Sequence, residues 1–175
     1  RQMCIRDRHY SRNTPSDTWK GLTITKNYLE LLEDKSLDAI LIATPDHWHG
    51  EPTIRAARAK KHVYCEKPIS LTIREGRAMA EAVKENQVVF QTGSQQRTEY
   101  GGKFRRTVEM VRSGAIGELK KVRVCVGGPP VPCDLPTEPV PEGINWDAWL
   151  GPAPVRGFNK ILCPDDVHNH FPAWR

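Results

Sequence analysis

The sequence predicts an alternating α/β fold built on a parallel sheet. Three observations carry this. Short apolar runs recur at residues 38–44, 62–65 and 88–92, each of strand length. Amphipathic helical patterns stand between them. No pair of runs is close enough for a tight hairpin, so the strands are joined by helical crossovers and lie parallel.

Taken in order, Tyr28, Leu31 and Leu32 sit at helical spacing, and residues 34–38 form a polar turn. The run DAILIAT at 38–44 is continuously apolar at its centre, as in a strand buried on both faces. Pro45 ends it, and Pro52 suits the first turn of a helix, where its missing N–H is no loss. Ile54 and Ala57 give that helix its apolar side, and Arg55, Arg58, Lys60 and Lys61 its solvated side. Residues 62–65 form the second strand. Thr72 and Glu75 have the spacing of a capping box, which starts a helix whose buried stripe is Ala78, Met79, Ala82 and Val83. Residues 88–92 form the third strand, closed by Gly93.

After Gly101 and Gly102 the pattern changes. Phe104, Val108 and Val111 mark a helix that Gly114 can stop. Val122, Val124 and Val126 alternate with Lys121, Arg123 and Cys125, which predicts a strand with one packed face in a mainly antiparallel sheet. Ten of the 14 prolines lie at or beyond Pro129, so the chain from about residue 127 is expected to run irregularly. The expected division is 1–100 for the parallel-sheet domain and 101–175 for the beginning of a second, α+β domain. Residues 1–8 join poorly to the regular pattern beyond them and read as a scar of cloning or assembly.

Hydrophobic residues make up 38% and charged residues 27%, a globular composition rather than a disordered one. No apolar run reaches the ~18 residues of a membrane span. The net charge of +5 raises nucleic acid as a partner, but basic and aromatic residues do not interleave as single-strand binders require. Five cysteines, an odd number without a Cys-x-x-Cys pair, indicate neither a disulfide framework nor a zinc ribbon.

Ligands of open parallel sheets bind at the carboxyl ends of the strands. Three such ends are polar here: Thr44, Asp46, His47 and His49 after the first strand, Glu66 and Lys67 after the second, and Ser94, Gln95, Gln96 and Arg97 after the third. Three polar ends in succession favour a ligand cleft along one sheet edge. A lysine there can lose part of its hydration and serve in proton transfer. A surface turn with an ordinary ion pair fits the residue types at Glu66 and Lys67 equally well. His47 and His49 flank Trp48 at a spacing that suits no common metal site, so no metal is expected and contact with a ligand or helix capping is preferred. His168, among Asp165, Asp166 and His170, lies where it could touch substrate.

The segments ATPDHWH (43–49), CEKP (65–68), GSQQR (93–97), SGAIG (113–117) and WLGPAP (149–154) occur in an order and spacing that resemble the Gfo/Idh/MocA oxidoreductases. The likeness runs from about Thr23 to Arg175. It implies an incomplete Rossmann-type sheet followed by the start of the substrate domain, with NAD or NADP as cofactor and a sugar, cyclitol or related alcohol as substrate. It also implies roles: Thr44, Pro45 and His49 along the cofactor's diphosphate and ribose, and Glu66, Lys67 and Pro68 beside the nicotinamide. Lys67 would be catalytic, Gln95 would meet the cofactor, and Arg97, Trp149 and His168 would meet substrate.

The departures are equally specific. The family's glycine-rich phosphate loop has no counterpart, since the only glycine before Gly50 is Gly21. The downstream Asp and His of an Asp-x-x-x-His stretch are expected beyond Arg175. The chain alone is therefore expected to be inactive and to bind cofactor weakly, with the full-length protein a homo-oligomer free of nucleic acid and membrane. The sequence leaves the compartment open between the cytoplasm and, where an export signal precedes the chain, the periplasm. An NAD-dependent glycosidase or a non-catalytic sugar-binding relative stands as the alternative.

Overall fold

The computed structural model describes residues 25–125 and 134–163. The chain divides into two compact units, one of residues 38–129 and one of residues 1–37 with 130–175. The first unit therefore continues past the boundary expected at residue 100.

In the first unit, β1 (Ala39–Ile42), β2 (His62–Glu66) and β3 (Phe90–Gly93) form a parallel sheet in the order β1-β2-β3. The α-helix α2 (Gly50–Arg58) links β1 to β2, and α3 (Ile73–Asn86) links β2 to β3; α1, in the other unit, spans Tyr28–Glu33. The parallel sheet and its two helical crossovers thus match the sequence pattern. Thr72 caps α3 as its spacing predicts: its hydroxyl accepts from the Glu75 N–H at 3.1 Å, and the Glu75 carboxylate accepts from the Thr72 N–H at 3.1 Å. These bonds satisfy two main-chain donors that the first turn of a helix leaves open.

Both helices lie on one face of the sheet. Ile42, Val63 and Cys65 point toward it and are buried, together with Ala56 and Ala57 of α2 and Met79 and Ala82 of α3. The opposite row is open: Leu41, in register with Tyr64 and Gln91, is 66% exposed. The expectation that residues 38–44 are buried on both faces fails for this reason, since among the described residues nothing covers that side. Lys61, expected on the solvated side of α2, is also buried.

Beyond β3 come short 3-10 turns and then α4 (Lys103–Arg112). Gly101, Gly102 and Gly114 adopt positive φ, so the turns bracketing α4 are made by residues without a side-chain penalty there. Phe104, Val108 and Val111 of α4 remain exposed. Residues 121–125 form no strand, and Val122 and Val124 are exposed. The alternation read there has no partner strand among the described residues, and a strand without a ladder leaves its main-chain groups unpaired. Val126 lies outside the described residues.

In the second unit, α5 (Trp146–Leu150) starts at Asn145, whose side chain accepts from the Ala148 N–H at 3.0 Å. Trp146, Trp149, Leu150, Phe158, Leu162 and Cys163 form a buried apolar cluster. Trp146 stacks on Trp149 at 4.7 Å between ring centroids and meets Phe158 edge-on at 5.3 Å. The segment expected to be irregular therefore holds a short helix and a core of its own.

Candidate active site at the carboxyl edge of the sheet

The register of the strands sets the site. Ile42, Cys65 and Thr92 share one row, and Glu66 pairs with Gly93 in the next. The loops after all three strands therefore leave the sheet at one level. Adjacent residues in a parallel register present side chains to the same face, which puts the Glu66 carboxylate over the Cα of Gly93.

Gly93 is a glycine because of that carboxylate. A Cβ there would stand 2.9 Å from Glu66 Cδ and Oε1, closer than ordinary van der Waals contact. Glu66 is held in place on both oxygens. The Gln95 side-chain amide donates to Oε1, and the Lys67 main-chain N–H donates to Oε2 at 3.3 Å. The second and third loops are thus tied through one acid.

The first and second loops are tied through His49. Its ring is 1% exposed. Two main-chain carbonyls lie within hydrogen-bond distance of the ring, that of Pro68 2.6 Å from Nδ1 and that of Thr44 2.8 Å from Nε2. His49 occupies the N-cap position of α2, yet its side chain caps nothing there, so of the two alternatives read for it helix capping does not hold. Thr44 closes its own loop by donating to the Trp48 carbonyl at 3.2 Å. The Lys67–Pro68 peptide is cis.

Lys67, Ser94, Gln95, Gln96, Arg97 and Phe104 line one open cavity of about 230 Å³. That is below the ~300–1,000 Å³ of pockets for drug-sized ligands, and suits a single ring. Of the residues expected in the site, Lys67, Gln95 and Arg97 meet at this cavity. Thr44, Pro45, Glu66 and Pro68 stand in the adjoining strand ends, and His49 lies beneath them. Trp149 is in the other unit, 7% exposed within the aromatic cluster. His168 lies outside the described residues.

The sequence alone singles out neither Phe104 nor the clearance at Gly93. Phe104 reads there only as one apolar position of a helix, and a glycine ending a strand gives no sign of which side chain fills its space.

Cys65, one residue before Glu66, is fully buried. Burial pushes its thiol up to about 11, the Thr53 hydroxyl pulls it the other way, and the charge of Glu66 adds to the rise. A protonated thiol in that setting is a packing group rather than a nucleophile. Among the described residues, no three His, Cys, Asp or Glu side chains gather as metal ligands, and no helix is long and apolar enough to cross a membrane.

A parallel sheet with helical crossovers and polar loops at its carboxyl edge has the architecture of the open α/β proteins that take ligands at that edge. Residues 2–94 match the model of the GFO_IDH_MocA oxidoreductases, described as an oxidoreductase family with an NAD-binding Rossmann fold, and the chain belongs to that family. It is 38% identical over 106 residues to myo-inositol 2-dehydrogenase of Thermotoga maritima, covering 60% of this chain and 31% of the relative. It is 39% identical over 89 residues to 2,7-anhydro-N-acetylneuraminate hydratase of Escherichia coli, covering 51% and 23%. The crystal structure of myo-inositol 2-dehydrogenase from Lactobacillus plantarum superposes with a TM-score of 0.51 at 30% identity, over 62% of this chain and 33% of that one. The chain thus spans a third or less of the length of these relatives.

Proposed function

We propose that this chain is part of an NAD(P)-dependent oxidoreductase that moves hydride between a nicotinamide and the carbinol carbon of a sugar, cyclitol or related alcohol. The observation that carries the reading is the ring-sized cavity at the carboxyl edge of the sheet, where Lys67, Gln95 and Arg97 converge.

The residues fit a nicotinamide cofactor. Hydroxyl, amide and ammonium groups stand where open α/β sheets hold nucleotides. Thr44 and Pro45 would lie along its ribose and phosphates, with Glu66, Lys67, Pro68 and Gln95 nearer its ring. When bound, the cofactor supplies the hydride acceptor. The chain supplies the rest. Arg97 and Phe104 hold the substrate ring, the first by hydrogen bonds to hydroxyls and the second by its apolar face. Lys67 Nζ orients the reacting hydroxyl and assists its proton transfer while the C–H electron pair leaves. The Glu66 carboxylate, held by Gln95, fixes the main chain from which Lys67 projects. Trp149 and His168 would contribute to substrate from the domain that residues 101–175 begin, and the whole protein would assemble as a homo-oligomer.

A second reading draws on the Escherichia coli relative, whose name is that of a hydratase. The same hydride and proton steps, used transiently and reversed, would give a net change other than oxidation.

The test uses the polypeptide that carries this chain with its native flanking sequence. Lys67→Ala should lower turnover by at least about a hundredfold, the scale of a positioned acid–base group, with quenching of NAD(H) fluorescence retained. Turnover within a few-fold of the parent would remove Lys67 from the mechanism. Multiple-turnover product analysis separates the two readings, since net oxidation accumulates NAD(P)H and the transient use does not.

A further inference from the structure

The exposed turn carrying Lys67 has little packing of its own. Lys67 and Pro68 are both exposed, and turns with few buried contacts sample many conformations. A lysine that must meet one hydroxyl at one angle needs something else to hold it. His49 is placed to do so. It is fully buried, it comes from the loop after β1, and it reaches across to the residue following Lys67. Its two contacts, 2.6 and 2.8 Å, are shorter than the ~2.9–3.0 Å usual for N–H···O bonds. Both partners are main-chain carbonyls, which can only accept, so the contact to Pro68 is a hydrogen bond when the ring proton sits on Nδ1.

The geometry points to His49 as a positioning residue for Lys67: its imidazole braces the loop ending at Thr44 against the Lys67–Pro68 turn and fixes the place of the lysine without touching substrate or cofactor. The two bonds have different duties. The bond to the Thr44 carbonyl anchors the ring to the sheet edge from which it comes. The bond to the Pro68 carbonyl transmits that anchorage to the turn. An ordinary buried histidine would stabilise the fold through either bond alike; a brace acts on Lys67 through the Pro68 bond alone.

The inference rests on the catalytic reading of Lys67, and two isosteric variants separate the duties. In His49→Asn the amide nitrogen can stand where Nδ1 stood and keep the bond to Pro68. In His49→Gln it can stand where Nε2 stood and keep the bond to Thr44. Each loses one donor of the same kind, so their thermal midpoints should agree within a few degrees. Their turnover should not. In the polypeptide with its native flanks, His49→Asn is expected to keep about tenfold more kcat than His49→Gln. His49→Gln is expected to lose about tenfold to a hundredfold, the effect of a misplaced catalytic group, with KM changed less than threefold. Hydrogen exchange of the peptide holding residues 66–71 should quicken in His49→Gln and not in His49→Asn.

Equal kcat in the two variants, or the reverse order, overturns the inference, as does equal exchange of that peptide. Lys67→Ala measured alongside tells the two failures apart. Unchanged turnover there defeats the catalytic reading, whereas a large loss there with equal His49 variants defeats the brace alone. The unaltered protein gives a test that needs no variant: the His49 Nδ1 proton should appear by NMR and exchange slowly with water, and its absence would overturn the brace.

Discussion

Gly93→Ala tests the central contact of the site by adding one methyl group. The added carbon would stand 2.9 Å from Glu66 Cδ and Oε1 and 3.0 Å from Oε2, against the 3.4 Å and more of ordinary contact. Either the β3 backbone or the carboxylate must give by several tenths of an ångström. The carboxylate is the softer of the two, but moving it breaks the bond from the Gln95 amide and the weaker one from the Lys67 N–H. A hydrogen bond to a charged group contributes about 1.5–3 kcal/mol, and Glu66 is only partly buried, so the expected loss is about 1–2 kcal/mol. Chemical denaturation of the parent, Gly93→Ala, Glu66→Ala and the double variant measures it. With Glu66 truncated the three atoms nearest the added methyl group are gone, so the cost of Gly93→Ala should fall and the cycle should show a coupling of about 1–2 kcal/mol. Additive effects would refute the claim that Gly93 is reserved for the Glu66 carboxylate.

Three further perturbations probe the frame around that contact. Burial raises the Cys65 thiol from 9.0 to about 11. The folded state therefore keeps a proton that the unfolded chain has lost, so stability is flat below about pH 9 and falls as pH rises through 11. The loss is about 3 kcal/mol at ~1.4 kcal/mol per unit; Cys65→Ala should remove the slope in a pH series of denaturation curves, and a slope that persists would assign it elsewhere. Lys60 ends α2 at φ 62°, in the left-handed region, where a Cβ costs roughly 1 kcal/mol. Lys60→Gly should raise stability by up to that amount, less the exposed bond from its ammonium to the Asn86 carbonyl; a measured loss would show that bond to dominate. Thr72→Ala removes the hydroxyl of the capping box and should cost about 1 kcal/mol, with a helix signal lost in proportion from α3 in a thermal melt followed by circular dichroism.

The parts legible in the sequence are those fixed by short-range pattern. Thr72 and Glu75 are three residues apart and specify the same local bonds wherever the chain goes, so the start of α3 can be placed to the residue. The three strands emerge from apolar runs, and their parallel pairing from the length of the crossovers. Sequence pattern fails where neighbours decide. Leu41 reads as buried because it is apolar in an apolar run, but its exposure depends on whether anything lies over that face. Val122 and Val124 alternate as a strand should, yet alternation supplies one face and not the partner that makes a ladder. That the Trp149 ring stacks on Trp146 is likewise set by the fold and not by the local sequence. The site shows the same division. That Lys67, Gln95 and Arg97 share one edge is readable from the strand ends, whereas the shared use of Glu66 by Gln95 and Gly93 depends on a register that no single strand contains.

On the catalytic role proposed for Lys67, that register matters because the lysine is exposed yet has to be exact in position. Burying it would fix its place at the cost of its hydration, and would close the cavity to a substrate. The fold does otherwise. It holds the residue before Lys67 by its carboxylate, through Gln95 of the loop after β3, and the residue after Lys67 by its carbonyl, through His49 of the loop before α2. Two side chains from the two flanking loops thus hold the main chain on either side of the lysine, which itself lines the cavity. Parallel pairing is what makes this available, since only strands ending at one level bring three successive loops within a side chain's reach. On that proposal the CEKP segment is a turn in which the two neighbours of the lysine share the work of placing it.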